Sequence, residues 1–105
     1  MIEVIFEKSH AGHTALTMSG HAGYADEGQD IVCAAVTSAL LLTVNGVTEV
    51  LKQKATAEVN GGTVRFMLPL GASEAARDFV KSLELHLRVL SEDYPGTINI
   101  TVMEV

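Results

Sequence analysis

Apolar and polar positions change rhythm along this chain, and each change marks an element. Ile2 to Lys8 is dominated by Ile, Val and Phe, and His13 to Ser19 sets Ala15 and Leu16 among Thr and Met. Both segments suit short strands, with Ala11-Gly12 as the turn between them. Lys54 to Val59 and Thr63 to Leu68 flank Asn60-Gly61-Gly62. Asn and Gly accept the positive φ angles of tight turns, so this is the strongest hairpin signal present. Near the end, Ile98, Ile100 and Val102 alternate with Thr97, Asn99 and Thr101, the pattern of a strand with one face buried.

Two segments carry a helical period instead. Ser73 is a suitable N-cap for a helix whose apolar stripe runs Ala76, Phe79, Val80, Leu83, Leu87, Leu90, and Pro95-Gly96 ends it. Earlier, Asp30 stands directly before Ile31-Val32-Cys33-Ala34-Ala35, where a short carboxylate accepts the orphan N–H groups of a helix start. A helix is predicted from there to about Gln53. Its polar stripe of Ser38, Asn45, Glu49 and Lys52 is narrow, so it must be covered on most sides. The domain's own sheet and second helix provide such cover, and so would a second copy of the chain. Between Gly20 and Asp30 there is no apolar period, and Gly20, Gly23 and Gly28 loosen the backbone, so this stretch reads as a loop.

The predicted order is β-β-α-β-β-α-β, an α+β fold with a mixed or antiparallel sheet covered by two helices. At 105 residues and 48% hydrophobic content, residues 1–105 form one domain with one core, able to bury about 60–70% of the unfolded surface. There are no repeats, linkers or low-complexity segments.

Charge narrows the partners. Seven basic against thirteen acidic side chains leave −6, which opposes the phosphate attraction behind most nucleic-acid affinity. No nucleic-acid partner is expected, whereas a basic peptide or protein would be drawn in. The N-terminus has no basic segment followed by an apolar run, and the single cysteine has no partner for an internal disulfide, which reads as cytoplasmic. The apolar run from Ile31 to about Val50 is broken by Thr37, Ser38, Thr43, Asn45, Gly46 and Thr48 and lacks basic flanks, so no membrane span is expected.

The chemistry concentrates between Gly20 and Ser38. With Asp30 as N-cap, Cys33 is the third helical residue, near free N–H groups and the positive end of the helix dipole. Such a setting favours the thiolate, and the same N–H groups would hold the oxyanion formed when it attacks a carbonyl. His21 closes a strand just before the loop that returns to this helix, which suits a base for the thiol. Asp30 serves as a cap, as an orienter of the imidazole, or both. The glycine-rich stretch Ala22, Gly23, Tyr24, Ala25, Asp26, Glu27, Gly28, Gln29 would close over a substrate as a lid. Thr37 and Ser38 lie one turn beyond Cys33. By residue type alone, a lone cysteine in an apolar helix is more often a small buried hydrophobe than a nucleophile, and position at a helix start is what raises the second reading.

His10, His13, His21, His86 and Cys33 are metal-ligand types, but His10 and His13 straddle a hairpin turn and no second tight pair exists. No metal site is expected, and no nucleotide-binding glycine pattern occurs.

Gly20-His21-Ala22-Gly23-Tyr24-Ala25, followed by Gly28-Gln29-Asp30-Ile31-Val32-Cys33-Ala34-Ala35-Val36, resembles the signature of the Prp family of ribosomal-processing cysteine proteases, and length and element order fit over the whole chain. The resemblance implies that His21 and Cys33 form a catalytic dyad and that Asp30 and Gly20 belong to the motif. A serine is usual four residues after the cysteine, where this chain has Thr37. It further implies a cytoplasmic, cofactor-free, homodimeric endopeptidase that removes the N-terminal extension of large-ribosomal-subunit protein twenty-seven. A basic substrate suits an acidic enzyme. The rival reading is a non-catalytic ribosome-assembly or adaptor module that binds the same basic segment.

Overall fold

The computed structural model describes residues 1–20 and 27–105, with no description of the side chains of residues 27–30. Its elements are β1 (Ile2–Ser9), β2 (Gly12–Ser19), α1 (Glu27–Asn45), a π-helical turn (Gly46–Val50), β3 (Thr56–Asn60), β4 (Thr63–Met67), α2 (Glu74–Asp93) and β5 (Ile98–Glu104). The five strands form one sheet in the order β3-β4-β2-β1-β5. β1 and β5 run parallel and the other neighbours antiparallel, so the sheet is mixed.

The core is built from cross-strand rows. Val102, Phe6, Leu16 and Phe66 are successive partners across four strands, and Ile100, Val4, Met18 and Val64 make the next row. Onto this face α2 buries Ala76, Val80, Leu83 and Leu87, and α1 buries Val32, Val36 and Leu40. Fully burying one such Val, Leu or Phe contributes about 1.5–3 kcal/mol, so these rows and stripes are what dock the helices on the sheet. The stripe predicted for α2 is the observed one, and Ser73 caps it as expected, its Oγ accepting from the Ala76 N–H at 3.1 Å.

Two helix boundaries differ from expectation. α1 begins at Glu27, so Asp30 is its fourth residue and not its N-cap, and Glu27, Gly28 and Gln29 belong to the helix instead of the preceding loop. Carboxylates are favoured throughout a helix's first turn by its dipole, which lets the helix start one turn before the most obvious cap. At the other end, helical structure stops at Val50 and not at about Gln53. The Leu51 N–H bonds the Gly46 carbonyl at 2.9 Å, and Lys52 turns left-handed at φ 56°. The Gln53 side-chain oxygen then accepts from the Ser73 N–H at 3.1 Å, tying the exit of α1 to the start of α2.

At Gly46, the first residue of the π-helical turn that follows α1, the chain comes close to α2. A Cβ there would lie 2.5 Å from Phe79 Cε1 and 2.7 Å from Cζ, so only glycine lets the α2 ring seat against α1.

One irregularity redirects a histidine. The β1–β2 register shifts after Glu7, which pairs with Ala15, while Lys8 pairs with His13. The extra residue, Thr14, breaks the alternation and turns His13 onto the helix-covered face. There its ring lies edge-on to Phe6 and its Nε2 is 2.6 Å from Glu84 Oε1 on α2.

Candidate active site

The topology gathers one end of the molecule around the motif. β2 exits at Ser19-Gly20, β1 enters at Met1-Ile2, and α1 starts at that same end, because it runs antiparallel to α2 and sets its far end, Gly46, on Phe79. Gly20 is fixed there by two constraints. Its φ is +79°, and a Cβ on it would sit 2.5 Å from the Met1 carbonyl oxygen. No other residue fits between these two backbones without moving one of them. His21, the residue handed on by Gly20, lies outside the described residues, as do Ala22, Gly23, Tyr24, Ala25 and Asp26.

Cys33 is half-buried on α1 and packs against the core cluster. With α1 starting at Glu27, Cys33 is in the second turn, not the first. The N–H groups that a helix leaves unpaired are those of its opening turn, one turn before Cys33, and the dipole's charge fades beyond that turn. The helix end therefore does less for the thiol than its sequence position implies. Helical Cα–Cβ bonds do tilt toward the N-terminus, so the Cys33 side chain leans back toward those N–H groups.

At about 100° per residue, Val32, Val36 and Leu40 define the buried centre of α1. Ala35, Ser38, Ala39 and Leu42 fall to one side of it, where they line a groove with Phe79, Ser82, Leu83 and His86 of α2. Cys33 and Thr37 fall to the other side. α2 lies over β2 and β5, and the Cys33 side of α1 is the one turned away from the groove it forms with α2. Of the two hydroxyls singled out by sequence, Thr37 shares the flank of Cys33, one turn along, and Ser38 is separated from it by the helix. Asp30 is placed by its backbone three residues before Cys33.

The polar cluster that sequence reasoning missed lies at the opposite end of the sheet. Glu84 receives His13 Nε2 at 2.6 Å and the Arg88 fork at 3.0 and 2.9 Å, with Lys8 Nζ at 3.7 Å. Burial alone would raise the Glu84 carboxyl, but the bonds from His13 and Arg88 and the charges of Lys8 and Arg88 overcome it and hold that group below the ordinary glutamate range. An ionised carboxylate only accepts, so His13 carries its proton on Nε2. The signal that would have found this cluster is the strand bulge, which no local pattern announces. Among the described residues, no three His, Cys, Asp or Glu side chains come together as a metal site.

Comparison with known proteins agrees with the fold and with the family resemblance. The family model for cysteine protease Prp matches residues 1–99. The ribosomal processing cysteine protease Prp of Bacillus subtilis is 29% identical over 108 residues, covering 96% of each chain. Among solved structures, the essential ribosomal processing protease Prp of S. aureus with a covalently linked product peptide superposes with a TM-score of 0.86 at 23% identity, over 97% of this chain and 99% of that one. The same protease with a substrate peptide gives 0.87 at 21% identity and the same coverage. SMU.848 from Streptococcus mutans gives 0.87 at 22%, over 100% of this chain and 96% of that one. A fold of this order, carrying the motif on the β2 exit and α1 and matched over nearly its whole length, places the chain in the Prp family of cysteine proteases.

Proposed function

We propose that this chain is a cytoplasmic endopeptidase that removes the N-terminal extension of large-ribosomal-subunit protein twenty-seven, with Cys33 as nucleophile and His21 as its base. The observation that carries the reading is the family match over residues 1–99, in a chain whose sole cysteine stands near the start of α1 on a flank away from the α1–α2 groove. The naming of the Bacillus subtilis relative for ribosomal processing supports the substrate, as does the −6 charge, which suits a basic ribosomal segment.

In this mechanism His21 takes the Cys33 thiol proton, and the thiolate attacks the scissile carbonyl carbon. The oxyanion of the tetrahedral intermediate is met by N–H groups at the start of α1. Collapse breaks the C–N bond, and the leaving amine takes the proton from the imidazolium. Water, deprotonated by His21, then hydrolyses the thioester and frees Cys33. Asp30 orients the imidazole and supports its charged form, and the Thr37 hydroxyl stands in for the family's usual serine beside the sulfur. Gly20 sets the direction in which the chain leaves β2. Of the stretch read as a lid, Ala22 to Asp26 closes over the bound peptide, since Glu27, Gly28 and Gln29 are part of α1. The reaction needs no metal or other cofactor, and the enzyme works as a homodimer.

The test is cleavage of a peptide spanning the junction of that extension. Intact protein cuts, while Cys33→Ala and His21→Ala do not. A binding module would retain the peptide uncut in all three forms, and undiminished cutting by Cys33→Ala would overturn the assignment.

A further inference from the structure

β3 is an edge strand, and every residue from Thr56 to Asn60 is exposed. It packs chiefly on β4, whereas the other edge strand, β5, lies under α2. The turn decides where its backbone groups point. Gly61 and Gly62 separate Asn60 from its partner Thr63, and in a two-residue hairpin that flanking pair exchanges both hydrogen bonds. The bonded pairs then recur at Glu58 with Arg65 and Thr56 with Met67. β4 shows the same alternation from its other side, where the Leu68 N–H bonds the Thr14 carbonyl at 2.9 Å, so that Leu68, Phe66 and Val64 turn their backbone groups to β2. The N–H and C=O groups of Ala57 and Val59 therefore point off the edge of the sheet. Edges are ordinarily blunted by Lys, Pro or a bulge. Thr56-Ala57-Glu58-Val59-Asn60 has neither residue, and its register with β4 is unbroken.

This edge ends beside the motif. Met18 pairs with Val64, one residue in from the Thr63 side of the turn, so Gly61 and Gly62 lie at the end where β2 exits through Gly20 to His21. β3 is two strands from β2, a distance of about 10 Å. An extended chain covers it in about three residues.

We infer that β3 receives the substrate peptide as an added strand, with the N–H and C=O groups of Ala57 and Val59 bonding its backbone. An unpaired row of backbone donors and acceptors is the chemistry that holds an extended chain, and the neighbouring side chains then select among such chains. Val59, 74% exposed, stands beside Val64 on the helix-covered face and offers an apolar neighbour to one face of the added strand. On the other face Glu58 is exposed, and Arg65 across from it turns to Glu7 at 2.8 Å. Among the described residues the Glu58 carboxylate makes no ion pair, which suits a basic side chain on the incoming peptide. The inference rests on the protease reading for the identity of that peptide and adds the strand that holds it.

Amide hydrogen exchange followed by NMR on Cys33→Ala, which should hold the junction peptide without cutting it, reads the edge residue by residue. In the free protein Ala57 and Val59 should exchange fast, and Thr56, Glu58 and Asn60, bonded to β4, slowly. The peptide should slow Ala57 and Val59 at least about tenfold. Val59→Pro deletes one outward N–H and no bond to β4, so it should keep its circular-dichroism spectrum and raise KM about 3–10-fold with little change in kcat. Should the proline variant fail to fold, the exchange pattern alone decides. Cutting by the wild-type chain, with Ala57 and Val59 unprotected in the Cys33→Ala complex, would overturn the inference and leave the protease reading standing. Protection of the two amides without cutting by the wild-type chain would do the reverse, and a peptide neither cut nor bound would overturn both. Protection that is present in the free protein and rises with its concentration would give the edge to a second copy and would also overturn the inference.

Discussion

Gly20 passes so close to Met1 that a Cβ on it would stand 2.5 Å from the Met1 carbonyl oxygen, and its φ of +79° is one that L residues adopt only at a cost. The first turn of the chain and the exit of β2 thus hold each other, immediately before His21. Gly20→Ala should lose at least about 1–2 kcal/mol from the left-handed backbone alone, before the contact with Met1 is counted. Because the displacement passes straight to the next residue, kcat/KM on the junction peptide should fall at least about tenfold. An alanine variant with wild-type melting and turnover would show that neither constraint acts in solution.

Gly46 and Phe79 make a similar pair far from the motif. Gly46→Ala drives a methyl into the ring at 2.5–3.0 Å and should destabilise the protein by about 1–3 kcal/mol, as overpacking does. Thermal unfolding checks this, since each kcal/mol shifts the melting point of a domain of this size by roughly 4–8 °C. Adding Phe79→Leu should recover part of the loss. Strict additivity of the two changes would mean that the contact does not set the helix spacing.

The Glu84 cluster predicts how stability follows pH. Its carboxyl is held below the ordinary value, so the folded state binds fewer protons than the unfolded chain in the acid range. The contribution is complete above the unfolded glutamate value of about 4.3 and is lost as pH falls through the lower folded value. Glu84→Gln should therefore melt below wild type at neutral pH, with the gap closing as pH drops below about 4.3. A gap that stays constant from neutral to acid pH would place the effect in packing and not in charge.

Asp30 separates the motif's chemistry from helix capping. As the fourth residue of α1 it does not occupy the N-cap position, so Asp30→Asn removes a charge near the helix start, worth within about 1 kcal/mol. If it orients His21, kcat/KM should fall at least about tenfold while the melting temperature hardly moves. Near-wild-type turnover would remove Asp30 from the mechanism.

The strands and α2 were legible because their signals are local: a period of two, an Asn-Gly-Gly turn, a serine cap and a stripe of six apolar residues. The start of α1 was not. Asp30 looks like a cap and Gly28 discourages helix, while the dipole's welcome for Glu27 and Asp30 within the first turn leaves no separate mark. Which side of α1 faces what was equally hidden, since nearly every residue is apolar and only the groove against α2 separates Ser38 from the Cys33 and Thr37 flank. The sequence marks His13 as a strand residue and a metal-ligand type. Its pairing with Glu84 depends on the Thr14 bulge and on a residue 71 positions away, neither of which a local window contains.

The central claim is that Cys33 forms a covalent bond to the substrate, and intact-mass spectrometry tests it most directly. Mixing the protein with junction peptide and quenching in acid during turnover should show the chain plus the N-terminal product, less one water, with the added mass mapping to Cys33 and absent from Cys33→Ala. Cleavage that proceeds with no adduct at any quench time, and equally fast in Cys33→Ala, would contradict the account.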